Sequence, residues 1–304
     1  MTAEGLVTLF FIIDDPSGYC PPYTLFQCIS FMRRLETIRI IFNFPISNDE
    51  VGRAFHQFEA MFMSSMTYIT YPNLHWFEFQ GASAYMEAFV HWINAPRLKK
   101  LNIQLGKQPT LSVPRLLRFM NTTKNLRFDS ANFEFSSYQV SVGMNLREKS
   151  VHPFTMAVYC LELGSQVSSL AQIFNSLSQK MSTVEHLTFE HDEDHDELEV
   201  DRTEWHRLLR SFSNVKTLSV DDRLVDELSR CLRPNDGEHP LYVLPELQEL
   251  SYTGTDDIGD AFTPFLDARQ DAGHPVDLLF PNKSYVWSSE AGSSEVGSDF
   301  DTSS

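Results

Sequence analysis

Residues Asn214-Val215-Lys216-Thr217-Leu218-Ser219-Val220 carry an apolar side chain at 215, a second three positions on at 218, and a third two positions later at 220. The same spacing recurs at Leu35-Ile38-Ile40, Leu74-Phe77-Phe79, Leu98-Leu101-Ile103, Val184-Leu187-Phe189 and Leu247-Leu250-Tyr252. A weaker copy begins at Leu126 and continues into Phe128, and Phe154–Leu163 is strand-like without a full match. The last two apolar positions of each copy alternate with variable ones, which is the period of a β-strand. Pro or Asn often precedes a copy, as at Pro72-Asn73, Pro96, Asn125, Asn214 and Pro245. Such residues stop a helix and start a turn. Most copies lie roughly 30 residues apart, which is the spacing of a repeat architecture built from one supersecondary unit.

Between the copies the apolar period changes to that of a helix. Asp49–Met63 puts Val51, Phe55, Phe58 and Phe62 on one face behind Ser47 or Asn48 as N-cap. Ala82–Asn94 aligns Tyr85, Phe89, Trp92 and Ile93, and Pro114 opens a helix to Met120. Val167–Met181, Asp201–Phe212, Val225–Leu232 and Ala261–Gln270 complete the set, with Gly273 as a helix stop. The chain therefore reads strand, helix, strand, helix. Two α/β architectures fit: an irregular leucine-rich-repeat solenoid with a parallel sheet on its concave face, or a doubly wound sheet. The second normally carries a glycine-rich phosphate turn. The nearest approach, Gly254 to Gly259, is followed by Asp260 where a phosphate site needs lysine. The solenoid is the expectation for residues 1–283, followed by an acidic, serine-rich tail over 284–304 without apolar periodicity, expected to be disordered.

A solenoid sheet buries one side of each strand and presents the other. The presented residues are Thr37, Arg39, Trp76, Glu78, Lys100, Asn102, His186, Thr188, Thr217, Ser219, Glu249 and Ser251. This array is the expected partner-binding surface, and a protein is the expected partner.

The 304 residues include 41 acids and 24 bases, for a net charge of −17 and a pI near 4.9. Nucleic acid and anionic membranes repel such a chain. The acidity is uneven: residues 1–152 hold 14 bases and 12 acids, whereas 153–304 hold 10 bases and 29 acids. Four cysteines without a CxxC pair predict buried free thiols in a reducing compartment. The apolar run Leu6–Ile13 is too short to span a bilayer, and Glu4 stands where a signal peptide wants positive charge. A cytoplasmic or nuclear protein is expected.

Chemistry-bearing motifs are sparse. Asp192, Asp194 and Asp196 have the spacing of the first ligands of a calcium loop, but Glu197 and Thr203 occupy the positions that need Gly and Glu. His191 and His195 stand four apart within a run of eight acids from Glu190 to Asp201, a pattern read as a solvated loop. No GxSxG or HExxH occurs. No catalytic residue, cofactor or metal site is expected; an α/β enzyme without standard motifs is the alternative.

From about Leu25 to Val276 the chain resembles F-box and leucine-rich-repeat-like proteins of mushroom-forming fungi. The resemblance is carried by Phe31-Met32-Arg33-Arg34-Leu35-Glu36-Thr37 and Ala95-Pro96-Arg97-Leu98-Lys99-Lys100-Leu101. It continues in Trp205-His206-Arg207-Leu208-Leu209-Arg210-Ser211-Phe212-Ser213-Asn214-Val215-Lys216-Thr217-Leu218 and Leu244-Pro245-Glu246-Leu247-Gln248-Glu249-Leu250. It implies a repeat region that holds a substrate and an N-terminal F-box that docks on a cullin–RING ubiquitin ligase. The chain departs from that pattern at its start: Met1–Met32 is shorter than an F-box and has Pro21-Pro22 where a Leu-Pro pair would open it. The expected function is therefore a non-enzymatic interaction module, with a ligase substrate receptor as the alternative.

Overall fold

Each full copy of the repeat pattern becomes a strand that begins two residues after the first apolar position. The computed structural model describes residues 5–49, 51–53, 68–106, 111–146, 152–192, 200–235, 239–253 and 260–279. In chain order these form β1 (Thr8–Ile13), α1 (Pro22–Ile29), β2 (Thr37–Phe42), β3 (Ile69–Thr70), β4 (Trp76–Gly81), α2 (Ser83–Val90), β5 (Ile93–Asn94), β6 (Lys100–Leu105) and α3 (Pro114–Thr122). There follow β7 (Ser130–Phe135), β8 (Gln139–Asn145), β9 (Phe154–Tyr159), α4 (Leu163–Ser176), α5 (Ser178–Met181) and β10 (His186–His191). The last described elements are α6 (Arg202–Leu209), β11 (Thr217–Asp221), α7 (Val225–Leu232), β12 (Glu249–Thr253), α8 (Thr263–Asp271) and β13 (Asp277–Leu279).

Eleven strands make one sheet in the order β1-β2-β4-β6-β9-β8-β7-β10-β11-β12-β13, and all pairs are parallel except β7–β8 and β8–β9. The fold is thus mixed α/β with one large, mostly parallel sheet. β1 and β13 are its edges, so it does not close into a barrel. Short β3 and β5 pair separately.

Register explains which side is buried. Ile38, Phe77, Leu101, Phe154, Met144, Ala131, Leu187, Leu218 and Leu250 are successive cross-strand partners from β2 to β12, and all are buried. A second row runs Ile40, Phe79, Ile103, Met156, Val142, Phe133, Phe189, Val220, Tyr252 and is buried likewise. Both rows join one hydrophobic cluster with the inner faces of the helices. Rings concentrate where the antiparallel strands meet the second parallel run. Phe133 stacks on Phe189 at 5.1 Å and meets Phe174 and Phe212 edge-on at 5.5 and 5.7 Å. Such contacts add to the burial of each ring, itself about 1.5–3 kcal/mol.

The turns form a ladder of their own. Asn125 Nδ2 donates to the Pro96 carbonyl at 3.3 Å, and Asn214 Nδ2 to the Ser182 carbonyl at 2.6 Å. Each asparagine thereby ties its turn to the turn of an earlier strand. At the last turn Arg269 of α8 takes over this role. It is buried and donates to the carbonyls of Leu244, Pro245 and Leu247 at 3.0–3.2 Å. Gly81 ends β4 at φ +152°, where a Cβ would stand 3.0 Å from the Phe42 ring.

Two helix N-termini, those of α2 and α3, are closed from the neighbouring unit. Asn48 Oδ1 accepts from Ala84 N–H at 3.0 Å, so this residue caps α2. It was expected to cap its own segment, of which residues 48, 49 and 51–53 are helical; 54–63 lie outside the described residues. Glu87 of α2 is buried and accepts from the N–H groups of Arg115 and Leu116 at 2.9 and 2.8 Å, which satisfies two orphan donors of α3. Burial lifts its carboxyl above the usual carboxylate range, against those two hydrogen bonds.

Several expectations shift. The helix expected over Ala82–Asn94 stops at Val90, and Ile93 pairs with Ile69 as strand. The weak copy at Leu126 is slipped by two residues: β7 begins at Ser130, so its first apolar position is Phe128. The expected buried thiols are Cys160 and Cys231, but Cys28 is exposed. Among the described residues no helix is long and apolar enough to cross a membrane. The tail 284–304 lies outside the described residues.

Replacing Glu87 by Ala leaves two N–H groups without an acceptor, at about 1–3 kcal/mol for each such group. Glu87→Ala should lower the melting temperature by several degrees at roughly 2–4 °C per kcal/mol, with Glu87→Gln recovering only part. Differential scanning calorimetry measures this.

Candidate functional site

Alternate residues of every strand point away from the helices and form the open face of the sheet. The twelve residues picked from the sequence all lie there, in two adjacent rows. Thr37, Trp76 and Lys100 are cross-strand partners, as are His186, Thr217 and Glu249. In the next row Arg39, Glu78 and Asn102 align, as do Thr188, Ser219 and Ser251. One of the twelve differs from expectation: Thr37 is 8% exposed and presents almost nothing to solvent.

The rows are not continuous as the sequence implied. Between β6 and β10 stand β9, β8 and β7, so the two groups are separated by roughly 19 Å at ~4.8 Å per strand. Thr155, Gly143 and Asn132 complete the row from Asn102 to Thr188. Sequence reasoning missed them. The signal was present in Gln139-Val140-Ser141-Val142-Gly143-Met144-Asn145, which alternates without a break.

The two ends of the face differ in chemistry. Over β1, β2, β4 and β6 the Trp76 ring lies between two cations, Lys100 Nζ at 4.5 Å and the Arg39 guanidinium at 5.5 Å from its centroid. Arg39 also lies 5.3 Å from the Phe10 ring and forms a two-point ion pair with Glu78 at 2.7 and 3.0 Å. The pair holds the guanidinium against the rings, and Phe10 remains 57% exposed. Cation–π contacts at such half-exposed positions contribute about 0.5–1 kcal/mol each.

Over β7, β10 and β11 the face is acidic. Glu134, Glu190, Asp192 and Asp221 border a cavity of about 280 Å³ with Thr188 and Ser219 in its wall. Ser141 Oγ donates to Glu134 at 2.8 Å and Asn132 Nδ2 to Glu190 at 3.2 Å. Burial raises the Asp221 carboxyl to about 6, and the side chain of Asp222 adds to the rise. In the middle, Thr155 Oγ1 donates to Asn102 Oδ1 at 2.7 Å. His186 Nδ1 and Thr217 Oγ1 are 2.7 Å apart. The face thus offers hydroxyls, amides, two cations on rings and a group of carboxylates.

Among the described residues no group of three or more His, Cys, Asp or Glu could hold a metal ion. His195, Asp194 and Asp196 lie outside them. His191 is buried at the end of β10, where its carbonyl accepts from Arg223 Nη1 at 3.2 Å. No family model and no curated protein matches the chain.

Asp221 gives a pH test. Its carboxyl is about 6 in the folded chain and 3.8 in the reference state. Between those values the native state holds a proton that the unfolded chain has released, so this group's contribution to stability falls as pH rises through the window. Asp221→Asn should therefore gain stability relative to wild type on going from pH 4 to pH 7, as read by urea unfolding at the two pH values.

Proposed function

We propose that this chain is a non-enzymatic protein-interaction module: an irregular leucine-rich-repeat-like solenoid that binds a protein partner on the open, concave side of its sheet. The observation that carries the reading is the cluster of Phe10, Arg39, Trp76 and Lys100 on that face. Trp and Arg dominate the energetics of protein interfaces because they combine large contact area with directed polar groups. Here both stand on paired strands of the sheet, and Glu78 holds the Arg39 guanidinium. Little side-chain freedom remains to be lost on binding.

The ligase-receptor reading draws on the sequence resemblance alone. Residues ahead of β2 supply a strand and a helix to the same fold, β1 and α1.

Affinity purification of the tagged chain from its own cells, read by mass spectrometry, tests the proposal. The expected result is a protein set that Trp76→Ala and Lys100→Glu each deplete at least tenfold, in line with a hot-spot loss of about 2 kcal/mol. Arg207→Ala, on the exposed side of α6, should leave the set intact. A set unchanged by both open-face substitutions overturns the site, and co-purified cullin subunits would select the receptor reading.

A further inference from the structure

β1 is an edge of the sheet, and among the described residues no strand pairs with its outer side. Its sequence, Thr8-Leu9-Phe10-Phe11-Ile12-Ile13, holds no charge and no proline. Charges and proline are the usual devices that keep an edge strand from pairing further. Ten large apolar residues are exposed among the described residues, and four of them, Leu6, Val7, Phe10 and Ile12, fall within seven consecutive positions at this edge. Apolar exposure concentrated in this way marks a contact surface.

The backbone limits what can fit there. The Val7 carbonyl accepts from Thr37 N–H at 3.2 Å, and the Ile13 carbonyl from Asn43 N–H at 2.9 Å, so both turn toward β2. Successive residues of a strand turn their polar groups to opposite sides. Leu9 and Phe11 therefore face β2 as well, and Thr8, Phe10 and Ile12 turn N–H and C=O to the open edge. A two-fold axis at Phe10 matches this row to itself. Phe10 of one copy faces Phe10 of the other, and Thr8 faces Ile12 on both sides. Each copy supplies three N–H and three C=O groups, so an antiparallel pair makes six hydrogen bonds and leaves none of these groups over.

Charge favours the same arrangement. β1 ends on Asp14 and Asp15, both exposed. Beside its start lies the turn into β2, where Glu36 N–H donates to the Val7 carbonyl at 2.7 Å. That turn exposes Arg33, Arg34 and Glu36, a net positive charge. Antiparallel pairing lays the acidic end of each copy beside the basic turn of the other, whereas parallel pairing would set like ends together. Arg39 lies next to Phe10 but is already paired with Glu78, and three strand spacings, ~14 Å, would separate it from its counterpart.

We propose that β1 is the contact of a two-fold homodimer, in which the β1 strands of two copies pair antiparallel about Phe10 and join their sheets edge to edge. Such a contact is isologous and closes at two copies. One strand pair is a small interface, so the association is reversible and depends on concentration.

Sedimentation velocity on the full chain, over a concentration series, is the test. The expected result is a monomer–dimer equilibrium. Phe10→Pro removes one outward N–H, a change that an edge strand accommodates, and should weaken the dimer at least tenfold. Thr8→Lys and Ile12→Glu should each do the same, because each sets a charge against an uncharged side chain. Combined in one chain, these two should restore the dimer, since residue 8 of one copy faces residue 12 of the other in this register. Circular dichroism checks that each variant folds, and the charge variants replace Phe10→Pro if it does not. A chain that stays monomeric into the millimolar range, or assembly beyond the dimer through the β13 edge, would overturn the proposal. So would a dimer indifferent to these substitutions, or a combined variant no better than the single ones.

Discussion

The described helices cover one face of the sheet, and the rest of the structure follows from that constraint. Ten strand pairings must keep the same side chains on the covered side, because a shift of one residue would turn a strand's apolar set into solvent. The rows through Ile38, Phe77, Leu101 and Phe154, and through Ile40, Phe79, Ile103 and Met156, meet this condition across the change of chain direction at β8. Antiparallel pairing preserves the face as well as parallel pairing does, provided residues lie directly opposite. Val142 therefore sits in the same buried row as Phe133 and Met156. The meander interrupts the parallel order without interrupting the core.

The cost of that interruption is carried by two crossovers. The chain leaves β6, passes over two strand positions through α3, and enters β7. After β9 it passes over two positions again through α4 before β10. α4 is the longest described helix, at 14 residues, and its buried Phe174 meets both Phe133 of the sheet and Phe212. Gln166 of the same helix donates to the carbonyls of Ser136 and Cys160 at 2.7 and 2.9 Å. It thereby ties the β7–β8 turn to the end of β9. A polar side chain with buried partners at both ends is what an irregular insertion requires, since its turn has no equivalent turn beside it to complete the ladder.

The regular parts of this fold were legible because period and position coincide. At Leu35, Leu74, Leu98, Val184, Val215 and Leu247 the strand starts two residues on, and all six are buried. The meander was less legible for a specific reason. Ala131 holds the position that Leu or Phe holds in other strands, facing Met144 and Leu187. A small residue there fits beside two large neighbours but erases the apolar signal, and the eye moves to Leu126 instead. The helix over Ala82–Asn94 failed differently. Trp92 and Ile93 continue the helical period in sequence, but Ile93 gains a strand partner in Ile69. No local rule announces a pairing with a residue two dozen positions earlier. The cross-capping by Asn48 and Glu87 was illegible for the same reason, since both partners are set by packing between units.

Strand order also converts a linear property into a spatial one. Apart from the meander, position along the sheet follows position along the chain. The charged residues of the strands are therefore laid out across the sheet in chain order. On the open face this places Arg39 and Lys100 toward the β1 edge and Glu190 and Asp221 toward the β13 edge. Salt screens such fields over roughly 8–10 Å, less than the span of four strands, so the two ends act as separate electrostatic neighbourhoods. A partner lying across the strands would meet cations on aromatic rings at one end and carboxylates at the other, and only one of its two orientations would match both. Repeat order, fixed by the need to bury one face, thus gives the open face a direction.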